Sequence, residues 1–240
     1  MKSAVVTGVS SGIGFAITEK VLKLGYKVYG FSRQTPKSLI DNSNFQFVEC
    51  DLRDTKVLRK KMDEVRKADQ NIHILINNAG FGLIGLHEEL DYTKLEEIIQ
   101  VNLTAPILIT RILLRQIKQN KGIIINISSI TAKKSSPLAS AYSAAKAGLT
   151  QFGESLFEEV RKSGAKVCNI HPDVTKTNFY KDLSIQENSD PDSYLLPETI
   201  AEAVEHILNQ KSSLVITDIT IQPQKHKIER KNLNSSSHNV

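Results

Sequence analysis

The chain has 240 residues, of which 40% are hydrophobic and 24% are charged, and its formal net charge is +5 at pH 7. This length suits one α/β domain with a substantial core, and no apolar run approaches the about 18 residues of a membrane span. Most of the excess positive charge lies in residues 225–240, without the interleaved aromatic residues of a nucleic-acid surface. A strand is predicted to begin near Ser3, which leaves no room for a signal peptide. We therefore expect a cytoplasmic protein that binds neither nucleic acid nor a membrane.

Apolar strand candidates alternate with amphipathic helical stretches along the whole chain. The predicted strands are 3–7, 27–31, 45–50, 72–77, 122–127, 166–171 and 214–221, and the predicted helices are 12–24, 55–68, 92–119, 139–162 and 197–209. Such alternation produces a parallel sheet that is covered by helices on both faces. The sequence therefore predicts one domain over residues 1–224, followed by a basic and mobile tail over 225–240.

The first predicted strand runs directly into a glycine turn and a helix. The turn reads Thr7-Gly8-Val9-Ser10-Ser11-Gly12-Ile13-Gly14. Gly8 would turn the chain, Gly12 would let the backbone approach a pyrophosphate, and Gly14 would let the helix lie close to the sheet. The helix N-terminus offers unpaired N–H groups to the phosphates. This unit predicts a dinucleotide site, with a structural turn that binds no ligand as the alternative.

Polar clusters follow three later strands at their predicted carboxyl ends, where an open α/β sheet binds ligands. These clusters are Asn77-Asn78-Ala79-Gly80, Ser128-Ser129 and His171-Pro172-Asp173-Val174-Thr175. Tyr142 and Lys146 are spaced i, i+4 and share one face of the next helix. A nearby ammonium favours phenolate, so the pair suits a general acid/base, although a surface Tyr and Lys would give the same spacing.

These motifs occur in one order, and together they resemble the short-chain dehydrogenase/reductase family over about residues 3–221. The resemblance implies a doubly wound Rossmann fold with a seven-stranded parallel sheet. It also implies four catalytic residues, in which Tyr142 exchanges the proton, Ser129 binds the substrate oxygen, Lys146 holds the nicotinamide ribose, and Asn102 anchors a water of the proton relay. Ser128 is the second candidate for the serine.

The resemblance also implies which residues contact a nicotinamide dinucleotide. They are Gly8, Ser10, Ser11, Gly12, Ile13, Gly14, Arg33, Asp51, Leu52, Asn78, Ala79, Gly80, Tyr142, Lys146, Pro172, Val174, Thr175 and Thr177. Asp51 has an alternative interpretation as the cap of the next helix. The family usually has glycine where this chain has Asp173, and the effect of a carboxylate there is open.

Arg33 decides the predicted cofactor. An NAD site usually offers a carboxylate after the second strand, whereas this strand ends Phe31-Ser32-Arg33-Gln34. A guanidinium at this point suits a 2′-phosphate. We therefore expect NADP(H) rather than NAD(H), with a solvated Arg33 and mixed cofactor use as the alternative.

The sequence thus predicts an NADP(H)-dependent oxidoreductase that acts on a small carbonyl or alcohol substrate. A non-catalytic NADP(H)-binding redox sensor or scaffold is the second hypothesis, and an epimerase or dehydratase is the third. Small residues on helix 139–162, together with helix 92–119, suggest a homodimer or homotetramer. No metal site is predicted, and Cys50 and Cys168 are expected to be buried thiols. Residues 176–196 form a long loop that is expected to shape the substrate pocket.

Overall fold

A computed structural model describes residues 1–231 of the chain, and residues 232–240 lie outside the described range. The strands are β1 Ser3–Thr7, β2 Lys27–Ser32, β3 Phe45–Glu49, β4 Ile72–Asn77, β5 Ile123–Ile127, β6 Lys166–Pro172, β7 Ile185–Glu187, β8 Asp218–Ile221 and β9 Ile228–Arg230. Seven of them form one parallel sheet in the order β3-β2-β1-β4-β5-β6-β8. The predicted doubly wound Rossmann fold is therefore confirmed.

Within residues 1–231, six α-helices cover the two faces of this sheet. They are α1 Gly12–Lys23, α2 Thr55–Ala68, α3 Tyr92–Ile99, α4 Ala105–Gln119, α5 Ser140–Val160 and α6 Pro197–Leu208. Val6, Ile76 and Ile125 point toward α1 and α6, while their neighbours in sequence, such as Val5 and Leu75, belong to the core on the opposite face. Successive side chains of a strand alternate between faces, so strands buried on both sides are apolar throughout.

The predicted helix over 92–119 is interrupted in the structure. A π-helical turn over Gln100–Thr104 separates α3 from α4. By length and composition alone the 28-residue segment Tyr92–Gln119, which contains an 18-residue stretch with a mean hydropathy of 1.4, would pass for a membrane span. Ile109 and Leu113 are fully buried in the core beneath the sheet, as expected for the core helix of a globular α/β domain.

The C-terminal region differs most from the prediction. Residues 225–231, assigned from the sequence to a mobile tail, include β9, which pairs antiparallel with β7. The remainder of the predicted tail lies outside the described residues. The last strand of the main sheet begins at Asp218, four residues later than predicted. The two cysteines are free and buried, as expected.

Candidate cofactor and catalytic site

One cleft of about 1100 Å³ opens at the carboxyl ends of β1, β4, β5 and β6. The sheet order reverses between β1 and β4, and this is the point at which doubly wound sheets bind ligands. All eighteen residues predicted to contact the cofactor line the cleft: Gly8, Ser10, Ser11, Gly12, Ile13, Gly14, Arg33, Asp51, Leu52, Asn78, Ala79, Gly80, Tyr142, Lys146, Pro172, Val174, Thr175 and Thr177. Ser129 lies in the same cleft, whereas Asn102 lies behind its wall.

The glycine turn has the geometry of a backbone cradle. Gly8 and Gly12 have φ values of +75° and +58°, which side chains other than glycine rarely adopt. A Cβ on Gly14 would lie 2.1 Å from the carbonyl oxygen of Gly8, so the turn and α1 are in direct backbone contact. The first turn of α1 contains no acidic residue, and the Ser11 side chain does not cap it. The N–H groups there suit a pyrophosphate, so this end of the cleft fits a dinucleotide.

Thr7 ties the glycine turn to the loop after β4. Its hydroxyl oxygen accepts hydrogen bonds from the backbone N–H groups of Asn78 and Ala79, at 3.1 and 3.0 Å. The Asn78 amide in turn donates to the Thr7 carbonyl oxygen at 2.9 Å. The side-chain amide of Asn78 is thus hydrogen-bonded within the protein, and it holds the glycine turn and the loop after β4 at a fixed distance.

The far end of the cleft carries Arg33, Asp51 and Arg53. Arg53 donates to both carboxylate oxygens of Asp51 and to Glu97 at 2.9 Å, and it holds the pKa of Asp51 below its usual range. The cap of α2 is Asp54, which accepts from the first-turn N–H groups, so the alternative interpretation of Asp51 as a cap is wrong. Sequence reasoning missed Arg53, because only the fold brings Glu97 to it across 44 residues.

Tyr142 and Lys146 stand on one wall of the cleft, one turn apart on α5. The Lys146 Nζ lies 5.9 Å from the Tyr142 ring centroid and donates to the Ile127 carbonyl oxygen at 2.8 Å. Burial lowers the pKa of Lys146 to about 8. Burial also raises the pKa of Tyr142 to about 12, with the Ser129 hydroxyl acting in the opposite direction. The predicted lowering of the Tyr142 pKa by Lys146 is therefore not found in the protein alone, because the ammonium is directed toward a backbone carbonyl.

Asn102 is fully buried in the π-helical turn. Its amide donates to the Phe81 carbonyl oxygen at 3.0 Å and accepts from the Phe81 N–H at 3.2 Å. A Cβ on Gly80 would lie 2.3 Å from Asn102 Oδ1 and 3.4 Å from Lys146 Nζ. Glycine at this position therefore lets the Asn102 amide and the Lys146 ammonium approach the same point, as the predicted proton relay requires. π-Helical turns are frequent at functional sites.

Ser129 and Ser128 face in different directions. The Ser128 hydroxyl donates to the Lys146 carbonyl oxygen at 3.0 Å and lies 2.8 Å from the Thr150 hydroxyl, so it joins β5 to α5. The Ser129 hydroxyl accepts from the Thr131 N–H at the start of a short 3-10 turn in the cleft wall. Both serines line the cleft, but Ser128 is bonded to α5, whereas the Ser129 hydroxyl lies close enough to Tyr142 to affect the pKa of that phenol.

A buried histidine supports the backbone of Ser129. The His171 side chain is fully buried, and its Nδ1 lies 3.2 Å from the Ser129 carbonyl oxygen. Its Nε2 lies 2.7 Å from Asp218, which also forms an ion pair with Lys133. The prediction that His171 is structural agrees with this arrangement, since the imidazole holds the backbone of Ser129, a residue of the cleft wall, in place.

Asp173 occupies the position where the family resemblance implies glycine. Its φ is not positive, since Lys121 and Leu138 are the non-glycine residues within 1–231 that have positive φ. The backbone conformation at Asp173 is therefore one that residues other than glycine adopt readily. The Asp173 carboxylate is buried and accepts hydrogen bonds from Gln222 at 3.1 Å and His226 at 3.2 Å.

Comparison with known protein families agrees with this geometry. A family model described as short chain dehydrogenase matches residues 2–188, which is well over half of the chain. The chain belongs to the short-chain dehydrogenase family. The resemblance inferred from the sequence motifs is thereby confirmed, and the protein is an oxidoreductase of a family that uses nicotinamide dinucleotides.

Individual relatives of this short-chain dehydrogenase match it over almost its whole length. It is 32% identical to a 3-oxoacyl-(acyl-carrier-protein) reductase of Buchnera aphidicola, over 89% of this chain and 92% of that protein. It is 29% identical to a probable NADP-dependent dehydrogenase of Haemophilus influenzae, over 92% of this chain and 93% of that protein. A metagenomic short-chain oxidoreductase in complex with NADP is a structural neighbour, with a TM-score of 0.79, 28% identity and coverage of 93% and 97%.

Proposed function

We propose that the protein transfers a hydride between NADP(H) and a carbonyl or secondary alcohol substrate, with Tyr142 as the general acid/base. The main support for this proposal is that the candidate catalytic residues and the candidate dinucleotide-binding residues line the same cleft. Ser129, Tyr142 and Lys146 line one wall of it, and the glycine turn and Arg33 line the part where a dinucleotide fits.

When bound, the nicotinamide dinucleotide supplies the hydride. The protein supplies the proton and the charge stabilisation. In the reducing direction, Tyr142 donates its hydroxyl proton to the substrate oxygen while Ser129 donates a hydrogen bond to the same oxygen. The raised pKa, about 12, keeps the Tyr142 hydroxyl protonated at neutral pH, so the free enzyme holds the acid form. Lys146, with a pKa of about 8, can return a proton to the phenolate at neutral pH.

The test of catalysis is Tyr142→Phe, compared with Tyr92→Phe as a matched control. Tyr92 is 86% exposed and lies outside the cleft lining. With a panel of ketones and aldehydes, loss of NADPH absorbance is expected to slow by about 10² to 10⁴-fold in Tyr142→Phe and to remain unchanged in the control. NADPH binding without turnover of any carbonyl by the unmodified protein would instead favour a redox sensor or scaffold.

The proposal of NADP(H) over NAD(H) depends on Arg33. Arg33 makes no ion pair within residues 1–231, whereas the neighbouring Arg53 is held by Asp51 and Glu97. A guanidinium available at this end of the cleft is therefore suited to a 2′-phosphate. The similarity to a relative described as NADP-dependent and to a structure containing NADP supports the same cofactor.

Exchanging the guanidinium for an amide tests this preference. Arg33→Gln should lower the ratio of kcat/KM with NADPH to that with NADH by about tenfold to a hundredfold, the worth of a charge-assisted hydrogen bond. The control Arg59→Gln changes an exposed arginine on α2 outside the cleft and should leave the ratio unchanged. A higher kcat/KM with NADH in the unmodified protein would refute the preference.

We further propose a homodimer or homotetramer that assembles through α4 and α5. Arg111 and Arg115 are exposed on α4, and Glu154 is exposed on α5, which offers opposite charges to a two-fold related copy. Gly148, one of the small residues expected at the interface, is instead used inside the subunit, where a Cβ would lie 3.0 Å from Leu103. Light scattering should give at least twice the monomer mass, and Arg115→Glu should shift the equilibrium toward the monomer.

A further inference from the structure

Residues 225–231, which we call the C-terminal strap, lie across the loop that follows β6. The strap pairs through β9 with β7, in the register Ile185↔Arg230, Gln186↔Glu229 and Glu187↔Ile228. Backbone hydrogen bonds close both ends of this pairing, from Lys225 N to Asp192 O and from Lys231 N to Ser184 O, each at 2.9 Å. The strap is therefore bonded to the loop at both ends, and β9 lies in a defined register against β7.

Side chains fasten the strap as well. The Lys225 ammonium lies 3.1 Å from the Asp190 carboxylate and 3.0 Å from that of Asp192. The imidazole of His226 lies 3.2 Å from the buried carboxylate of Asp173, at the end of β6. These contacts join the strap to both the loop and the main sheet, so the position of its remaining side chains relative to the cleft is defined.

The strap presents one face to the cleft. Successive side chains of a strand point to opposite faces. Ile228 and Arg230 line the cleft together with Ile185 of the paired strand, whereas Glu229 points the other way and contacts Asn188. The strap is therefore an outer wall of the cleft, and its inner face combines an apolar side chain with a guanidinium.

The cleft changes character from Tyr142 toward the strap. The Phe179 ring meets the Tyr142 ring edge-on at 5.7 Å, and Ile185 and Ile228 extend this apolar surface. Arg230 lines the cleft as well and makes no ion pair within residues 1–231. The lining therefore includes the hydroxyl of Tyr142, a group of apolar side chains and the guanidinium of Arg230.

The acidic groups of this wall do not neutralise that cation. The Asp173 carboxylate is engaged by Gln222, His226 and Lys134. Asp182 is exposed next to Lys181, so this adjacent pair carries no net charge. The charge of Arg230 is therefore available to a ligand, and a guanidinium binds carboxylate and phosphate groups in the same two-pronged geometry.

We propose that the C-terminal strap completes the substrate pocket and that Arg230 binds an anionic group of the carbonyl substrate, a carboxylate or a phosphate. The proposal rests on the proposed reductase function, and it narrows the substrate to a molecule with a carbonyl, an apolar spacer and a negative charge. Arg230 acts on binding and takes no part in hydride or proton transfer, so its removal should raise KM more than it lowers kcat.

The experiment compares matched anionic and neutral substrates with NADPH. Oxo acids of increasing chain length are assayed against their methyl esters, and a keto phosphate is assayed against the corresponding free alcohol, which separates the two anion chemistries. In the unmodified protein, kcat/KM should be at least about tenfold higher for the preferred anion than for its neutral partner. Arg230→Gln should remove this preference through KM and leave kcat/KM for the neutral partner unchanged.

The control is Lys227→Gln, which removes the same charge from the same strap. Lys227 lies 3.5 Å from Asp190 and, unlike Arg230, does not line the cleft. It should keep the preference for the anion. Equal losses in Arg230→Gln and Lys227→Gln would overturn the proposal, because they would indicate the general charge of the surface rather than a contact. Equal reduction of acids, phosphates and neutral partners by the unmodified protein would also overturn it.

A binding measurement separates this inference from the proposed reaction. The affinity of the NADPH complex for each oxo acid, keto phosphate and neutral partner is measured by titration calorimetry, with the unmodified protein and with Arg230→Gln. Tighter binding of an anion that depends on Arg230, without any reduction, would refute the reductase function and retain the anion site. Reduction of carbonyls with no dependence of anion binding on Arg230 would retain the function and refute the site.

Discussion

Replacing Lys146 by methionine should abolish activity and stabilise the folded protein at neutral pH. Lys146 is 4% exposed, and burial lowers its pKa from 10.5 to about 8. At about 1.36 kcal/mol for each pKa unit, keeping this ammonium charged in the folded protein costs about 3 kcal/mol. Methionine removes that cost but cannot donate to the Ile127 carbonyl oxygen, a loss of about 1 kcal/mol. The expected net gain for Lys146→Met at pH 7 is therefore about 2 kcal/mol.

The stability difference between Lys146→Met and the unmodified protein should change with pH and reverse its sign at high pH. Below pH 8 the Lys146 side chain is charged in the folded and the unfolded chain, and the full cost of burying the charge opposes folding. Between about pH 8 and 10.5 the unfolded chain binds more protons than the folded one, so the stability of the unmodified protein rises with pH relative to the variant. Above this window the side chain is neutral in both states, and the variant should be less stable by the lost hydrogen bond.

Urea unfolding without added dinucleotide, at pH 7 and at pH 10, measures the difference. Lys162→Met is the matched control, since Lys162 is exposed two residues beyond the end of α5. The stability of this variant relative to the unmodified protein should be nearly the same at both values of pH. A Lys146→Met variant that is less stable than the unmodified protein at pH 7, or a difference that does not shrink by pH 10, would refute the reasoning. It would mean that the ammonium is stabilised where it lies.

Three further predictions concern single residues, two of them in or behind the cleft and the third at the start of α2. Gly14→Ala places a Cβ 2.1 Å from the Gly8 carbonyl oxygen, so it should cost about 1 to 3 kcal/mol in urea unfolding and weaken NADPH binding in a fluorescence titration; an unchanged Kd would contradict the cradle. Asn102→Ala leaves the Phe81 N–H and carbonyl unpaired, so the free energy of unfolding should fall by about 2 kcal/mol and kcat should fall with it. Asp54→Ala removes the cap of α2 and should cost about 1 kcal/mol while kcat/KM stays the same.

Much of the fold and of the candidate site could be predicted because the signals are local. The alternation of apolar strands and helices fixes the parallel sheet, and polar residues at strand ends such as Asn78 and Ser129 then meet in one cleft. Asn102 was found through the family resemblance alone, since its pattern is that of an ordinary helix residue. The π-helical turn that positions it leaves no mark in the apolar periodicity of residues 92–119.

The features that escaped prediction depend on contacts between distant residues. The strands β7 and β9 have three residues each, too few for a periodic pattern, and at the centre of their pairing Gln186 lies opposite Glu229, 43 positions along the chain. The basic composition of residues 225–231 predicts a solvated tail, whereas the Lys225 ammonium lies close to the carboxylates of Asp190 and Asp192 in the loop after β6. The sequence alone thus does not show whether basic residues close to a chain end are solvated or form ion pairs, because their acidic partners are distant in sequence.

The strap and the departure of Asp173 from the family pattern have a common physical basis. The backbone at Asp173 does not have positive φ, so glycine there has no conformational advantage. The carboxylate that replaces it is buried and reaches two residues beyond β8, Gln222 and His226. Glycine has no side chain to bind either group, so the strap would lose its link to the main sheet and keep only its contacts with the loop. Asp173, which departs from the family pattern without backbone strain, thereby fastens the segment that carries Arg230, and both residues line the same cleft.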